Sequence, residues 1–243
     1  VAGSDELYEL FAQLGRALSS PVRIQLLDLL CQGERSVEQL ATAAGVQVAN
    51  TSAHLQVLRR SRLVEIRRAR QQVFYRLADD DVARFFLALR EFARARSVEV
   101  QRVVEDFIVA RDELDPIRRE ELLERMVRQE VVVIDVRPLE EYRSGHIPGA
   151  ISMPLEDIPD RLSELSRDSP MQIGTGLPAR TIGESRPSRG EIVAYCRGPY
   201  CILAPEAVAL LRRHGLPARR LQDGFPEWRL AGLPVSVAEE ASR

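Results

Sequence analysis

The stretch Val193-Ala194-Tyr195-Cys196-Arg197-Gly198-Pro199-Tyr200-Cys201 decides how the second half of the chain is read. Ile192 to Tyr195 is an apolar run of the kind that forms a buried strand, and it stops at a cysteine. Gly198 and Pro199 then force a tight loop. Ala204 to Leu211 has helical spacing, with Pro205 where a first helical turn tolerates it. A thiol between a strand end and a helix start faces backbone N–H groups and the positive end of the helix dipole. Its thiolate should gain stability and its pKa should fall. Cys196 is therefore the expected nucleophile, with Arg197, Gly198, Pro199, Tyr200 and Cys201 as its loop. A small buried residue closing a strand is the plainer alternative for the same spacing.

Upstream, Val131 to Arg137 is a second apolar strand of the parallel-sheet type, followed by a short helical turn at Glu140-Glu141-Tyr142. Ser144 to Ala150 is a loop, and Ile151 to Pro154 a further short strand. Strands separated by helices indicate an α/β domain. Arg118 to Gln129 reads as its opening helix, and Asp115-Pro116 breaks the chain before it. The stretch 166–190, rich in Gly, Pro, Ser and Arg, reads as a surface insertion.

Three groups of residues fall in order. They are Asp135-Val136-Arg137 with Glu141-Tyr142 and Gly145-His146-Ile147-Pro148-Gly149-Ala150, then Tyr195-Cys196-Arg197-Gly198, then Asp223-Gly224-Phe225-Pro226-Glu227-Trp228 with Ala231-Gly232-Leu233-Pro234-Val235. Together they resemble a single rhodanese domain over about residues 117–237. The resemblance implies a small parallel sheet with helices on both faces. It places the nucleophile at Cys196, which would accept a sulfane sulfur and carry it as a persulfide cradled by the N–H groups of residues 197–201. Thiosulfate or a persulfide would be the small donor. His146 is either a base or a residue that fixes the loop, and Asp135 with Arg137 a structural pair beside it. Trp228 is read as core. Ile202 stands where related phosphate- and arsenate-handling loops carry an arginine, so the bidentate oxyanion clamp is missing and those activities are disfavoured. Cys201 is either an inert small residue or a second thiol that attacks the Cys196 persulfide.

Bulk composition bounds the rest. The 243 residues are enough for one large or two modest domains, with 45% hydrophobic and 29% charged residues, as in ordinary globular proteins. No apolar run reaches the ~20 residues of a membrane span. The acidic N-terminal stretch does not read as a signal peptide, and three cysteines do not suggest a disulfide framework, so a cytoplasmic protein with no membrane partner is expected. Net charge of −2 says nothing about nucleic acid, but Gln47 to Arg76 holds seven arginines and one acid, Glu65.

In that first half, Leu7, Leu10, Phe11, Leu14 and Leu18 recur at helical spacing. Ser19-Ser20-Pro21 opens a second helix that stops near Gly33, and Ser36 with Gln39 forms a capping box for a third that ends at Ala44-Gly45. A fourth runs from about Gln47 to Ser61, giving a helix-turn-helix. Leu63–Arg68 and Gln72–Leu77 flank a short basic turn and read as a hairpin, so the unit is a winged helix. Gln47, Asn50, Thr51, Ser52, His54 and Gln56 are the candidates for base edges, and Arg59, Arg60, Arg67, Arg68 and Arg70 for phosphates.

Leu18 to Leu27, Leu40-Ala41 and Ser52-Ala53-His54-Leu55-Gln56-Val57-Leu58-Arg59 resemble the ArsR family of bacterial repressors over roughly residues 5–95. The resemblance implies a homodimer joined through its first and last helices on a palindromic operator, with the helical stretch from Asp79 through about Arg111 as the last helix. The metal-sensing pattern of that family is missing here. The third helix has no Cys-x-Cys, and Asp79, Asp80 and Asp81 lack neighbouring histidines and read as a capping cluster. Cys31, ending an apolar helix, reads as packing. Nothing in the sequence calls for a metal or a cofactor.

The fold expected is thus a mainly-α winged helix-turn-helix domain at 1–112, followed by an α/β rhodanese-like domain at 117–243. Three functions fit it. One is a regulator whose operator binding answers to the sulfur or redox state of Cys196, another a sulfurtransferase whose winged helix serves mainly for dimerisation, and the third a repressor whose rhodanese half only binds a ligand.

Overall fold

The computed structural model describes residues 2–69, 72–107, 116–165 and 190–237. The chain divides into two compact units, Val1–Phe92 and Ala93–Arg243, a division that falls within a helix upstream of the expected linker. Arg70, the linker residues 108–115 and the expected insertion at 166–189 lie outside the described residues.

The first unit opens with α1 (Ala2–Leu18) and α2 (Pro21–Cys31). Ser20 stands at the N-cap of α2, but its side chain makes no capping bond, and Pro21 supplies the first helical position. A two-residue strand β1 (Arg35–Ser36) leads into α3 (Val37–Ala44). The capping box is formed: the Gln39 amide donates to Ser36 Oγ (3.3 Å) and the Ser36 amide to Gln39 Oε1 (2.8 Å). Gly45 closes the helix in the left-handed conformation (φ 65°). Then follow α4 (Val48–Arg60) and the hairpin β2 (Val64–Ala69) and β3 (Gln72–Leu77). The sheet order is β1-β3-β2, antiparallel throughout, so the wing has a third strand that the alternation pattern did not show.

Leu26, Leu30, Leu40, Leu55, Leu58, Tyr75 and Phe86 close the core of this unit, and Cys31 is buried too. Asp79 caps α5 (Asp80–Arg96), accepting from the Val82 amide at 3.0 Å. The long last helix expected from the sequence is broken. Ser97 interrupts it, its Oγ accepting from the Val100 amide (3.2 Å), and α6 (Val98–Phe107) starts anew. A serine that offers its hydroxyl to the next turn competes with the helix it would otherwise continue.

The second unit is an α/β/α sandwich. After α6, its elements are α7 (Arg119–Val127), β4 (Val131–Asp135), α8 (Leu139–Ser144), β5 (Ile151–Ser152), α9 (Ile158–Arg161), β6 (Glu191–Tyr195), α10 (Leu203–Arg213), β7 (Ala218–Arg220) and α11 (Phe225–Leu230). The sheet is parallel, in the order β5-β4-β6-β7. Strand residues alternate between faces, as the pleat requires. Ile134, Ile192, Ala194 and Cys196 pack towards α10 with Ala207, Val208 and Leu211. Val133, Val193 and Tyr195 pack on the other face with Leu122, Phe225 and Trp228. Cys196 therefore lies at the carboxyl edge of the central strand, on the α10 side. Among the described residues no helix is long and apolar enough to cross a membrane.

Candidate active site and nucleic-acid interface

The loop after β6 is anchored from three directions. The buried Glu141 on α8 takes a two-pronged bond from Arg197, with Nε at 2.9 Å and Nη2 at 2.6 Å from Oε1. The Phe225 amide donates to the Cys196 carbonyl at 3.0 Å. Gly224 makes that approach possible, because a Cβ there would lie 2.2 Å from the Gly198 nitrogen. Gly198 itself has φ 150°, a conformation L side chains rarely adopt, and the Cys201 amide closes the turn onto the Gly198 carbonyl at 3.1 Å.

Beneath the loop is a buried polar knot. Asp135 and Arg137, both fully buried, pair at 2.6 Å, and Arg137 also donates to the Gly145 carbonyl (2.7 Å) and stacks over Phe225 (4.3 Å). Burial opposes the Arg137 charge, yet Asp135 outweighs it and holds the guanidinium above its ordinary pKa. Tyr195, one residue before the thiol, donates its hydroxyl to Asp135 Oδ2 (2.6 Å) and accepts the Ile147 amide (3.1 Å). Burial, and then Asp135, push that phenol far above its usual range, so it stays protonated. His146 stacks on Tyr142 with ring centroids 3.8 Å apart, and donates Nδ1–H to the Tyr142 carbonyl (2.9 Å). Burial lowers its pKa, which leaves the ring neutral. These contacts are those of a side chain holding the 142–150 loop.

The expected fall in the Cys196 pKa is corrected. Its side chain is 3% exposed, and Sγ lies against the carbonyls of Cys201 (3.7 Å) and Gly198 (3.8 Å). Burial, reinforced by Cys201, pushes the thiol well above its ordinary pKa, although the Gly198 and Ala204 amides act in the opposite sense. The cost of desolvating the charge outweighs the pull of the helix dipole. The lowered thiol is Cys201. A hydrogen bond from Cys196, the Leu203 and Arg197 amides and the Arg197 charge bring it to about 7 against burial. The amide cradle is thus shared by the two thiols, and it draws on Leu203 and Ala204 as well as Arg197 and Gly198. Pro199 and Tyr200 form its outer turn, and Ile202 stands at the N-cap of α10.

On α4 the structure sorts the expected contacts. Gln47, Asn50, Arg59 and Arg60 are exposed, Ser52 is half-buried, and Arg68 is exposed on the wing. Thr51 is a correction: it is fully buried and faces the core with Leu55 and Leu58, one helical turn apart, so it is not available to a base. Gln56 donates to the Tyr75 hydroxyl (3.2 Å), and His54 Nδ1 accepts from Arg23 (3.4 Å), so both are engaged within the unit. Arg67 is held by Glu34 through Nε (2.8 and 2.9 Å) and lies over Phe74 at 5.1 Å. Among the described residues no three His, Cys, Asp or Glu side chains gather as a metal site.

The fold and these two sites define a winged-helix regulator joined to a rhodanese-like unit. Models of two families match the chain: the arsR family of bacterial regulatory proteins at residues 20–65, and the rhodanese-like domain at 118–231. The HTH-type transcriptional regulator Rv0324 of Mycobacterium tuberculosis is 44% identical over 94% of this chain and 91% of its own length. The biofilm growth-associated repressor of Xylella fastidiosa is 42% identical over 32% of this chain and 68% of its own length. A homodimeric winged helix-turn-helix fragment of Mb0332 from Mycobacterium bovis is 43% identical, covering 38% of this chain and 85% of that one, with a TM-score of 0.37. The chain belongs to the ArsR family of transcriptional regulators, in the form that carries a rhodanese-like domain.

Proposed function

We propose that the protein is a dimeric, operator-binding repressor whose rhodanese-like domain takes sulfane sulfur from a small donor, such as thiosulfate or a persulfide, onto Cys196. The sulfur state of that thiol then alters operator binding. One observation carries the reading: a two-thiol loop stands at the carboxyl end of the central strand of a rhodanese-like fold, on the same chain as an ArsR-type reading head. The DNA contacts fall to Gln47, Asn50 and Ser52 for bases, and to Arg59, Arg60 and Arg68 for phosphates. The dimer is supported by α1, whose Leu7, Leu10, Phe11 and Leu14 are 48%, 57%, 62% and 38% exposed, a stripe too apolar to be left in water.

The burial of Thr51 and the engagement of His54, Gln56 and Arg67 within the unit favour a second reading, a sulfurtransferase whose winged helix serves mainly for dimerisation. A gel shift on the DNA upstream of its own gene separates the two. Wild type shifts a discrete band and Arg59→Ala/Arg60→Ala loses it under the repressor reading, whereas no sequence-selective shift supports the enzyme reading.

A further inference from the structure

Cys201 is a residue that packing alone does not explain. It packs against the apolar cluster that buries Cys196 but remains half-buried, at the rim of the loop. The Gly198–Cys201 turn folds the five-residue span back so that Cys196 Sγ rests 3.7 Å from the Cys201 carbonyl, and both side chains pack in the same apolar cluster. Both lie over the start of α10, an eleven-residue helix.

We propose that Cys201 is the second reacting thiol of this site: it attacks the inner sulfur of a Cys196 persulfide, closes a Cys196–Cys201 disulfide and expels hydrosulfide. This rests on the reading of Cys196 as the sulfur acceptor. The steps balance without an outside oxidant. Cys196 gives up its proton to water as its sulfur attacks the outer sulfur of thiosulfate, and Cys201 stays a thiol. The S–S bond of the donor breaks, sulfite leaves, and Cys196–S–S⁻ and Cys201–SH remain. Cys201 sulfur then bonds to Cys196 Sγ, the persulfide S–S bond breaks, and the outer sulfur departs as HS⁻ with the proton Cys201 held. The sulfane sulfur is reduced to sulfide and the two thiols are oxidised to one disulfide.

Two features choose the inner sulfur. Cys196 Sγ already rests 3.7 Å from the Cys201 carbonyl, nearer the attacking residue than a sulfur added beyond it. Attack at the outer sulfur would expel the buried Cys196 thiolate, which burial makes strongly basic and therefore a poor leaving group, whereas hydrosulfide is a better one. The disulfide reopens by exchange with a small thiol at Cys201, the more exposed of the two sulfurs.

The test uses the full chain, reduced and freed of small thiols, mixed with excess thiosulfate under anaerobic conditions. Sulfite and sulfide are measured separately, and the protein's mass is read before and after. Wild type is expected to release sulfide in step with sulfite and to finish two hydrogens lighter. Cys201→Ser is expected to lose sulfide release and finish heavier by one sulfur atom, and Cys201→Ala gives the same result if serine perturbs the fold. Sulfite without sulfide from wild type, with the persulfide persisting, overturns the role of Cys201 and leaves Cys196 as the acceptor. No sulfite from wild type overturns the acceptor reading and this inference with it.

Discussion

Replacing Asp135 by Asn keeps the shape of the buried knot and removes its charge. In the native unit the carboxylate accepts from the Arg137 amide (3.0 Å), from Arg137 Nε and Nη2 (3.0 and 2.6 Å) and from the Tyr195 hydroxyl (2.6 Å). Breaking one side of a buried ion pair costs about 3–5 kcal/mol, because the other charge is left desolvated. Arg137 keeps the Gly145 carbonyl and the Phe225 ring, which places the expected loss near the lower end, about 3 kcal/mol. With a denaturant dependence of about 1.5 kcal/mol per molar urea, the midpoint should fall by about 2 M. Trp228, the single tryptophan of the chain and fully buried in this unit, reports the transition by fluorescence. Tyr195→Phe serves as the scale, since it removes one hydroxyl bonded to two partners and should cost about 1 kcal/mol. An Asp135→Asn loss no larger than that of Tyr195→Phe would refute the claim that a desolvated guanidinium depends on this carboxylate.

Three further outcomes are expected. Thr51→Val removes a buried hydroxyl that finds no hydrogen-bond partner, so the winged unit should gain up to about 1 kcal/mol in thermal unfolding while DNA affinity stays the same; a loss of affinity would return Thr51 to the interface. Glu34→Gln releases Arg67 from its carboxylate, so DNA binding should tighten and its salt dependence steepen by about one phosphate contact; an unchanged salt slope would mean Arg67 never meets DNA. Alkylation of Cys201 should rise with pH through about 7, since its thiolate is present above that value and lost below it; an inflection in the ordinary thiol range would contradict the shared-proton arrangement.

What could be read from the sequence was local. Ser36 with Gln39, the left-handed Gly45, the hairpin and the apolar strands around Val133 and Val193 each announce themselves within a few residues. What escaped was either too short to show a period or too far apart along the chain. The strand Arg35–Ser36 has only two residues, and Ser97 sits inside an otherwise unbroken helical pattern. The Glu141–Arg197 bond spans 56 positions and the Tyr195–Asp135 bond spans 60, so neither partner points to the other in sequence. The polar neighbours of Thr51 point to base reading, but the spacing Thr51, Leu55, Leu58 is that of a buried face. The helix start beside Cys196 points to a lowered pKa, and only the structure shows how deeply the thiol is buried.

The central claim is that sulfur on Cys196 changes how the chain holds DNA. It is tested most directly by titrating the full-length protein onto labelled DNA from upstream of its own gene, at fixed salt, before and after thiosulfate treatment, for wild type and Cys196→Ser. Treatment is expected to weaken wild-type binding by roughly 5- to 150-fold, the range of ordinary coupling between sites, and to leave Cys196→Ser unmoved. Superimposable wild-type curves with and without the donor would contradict it.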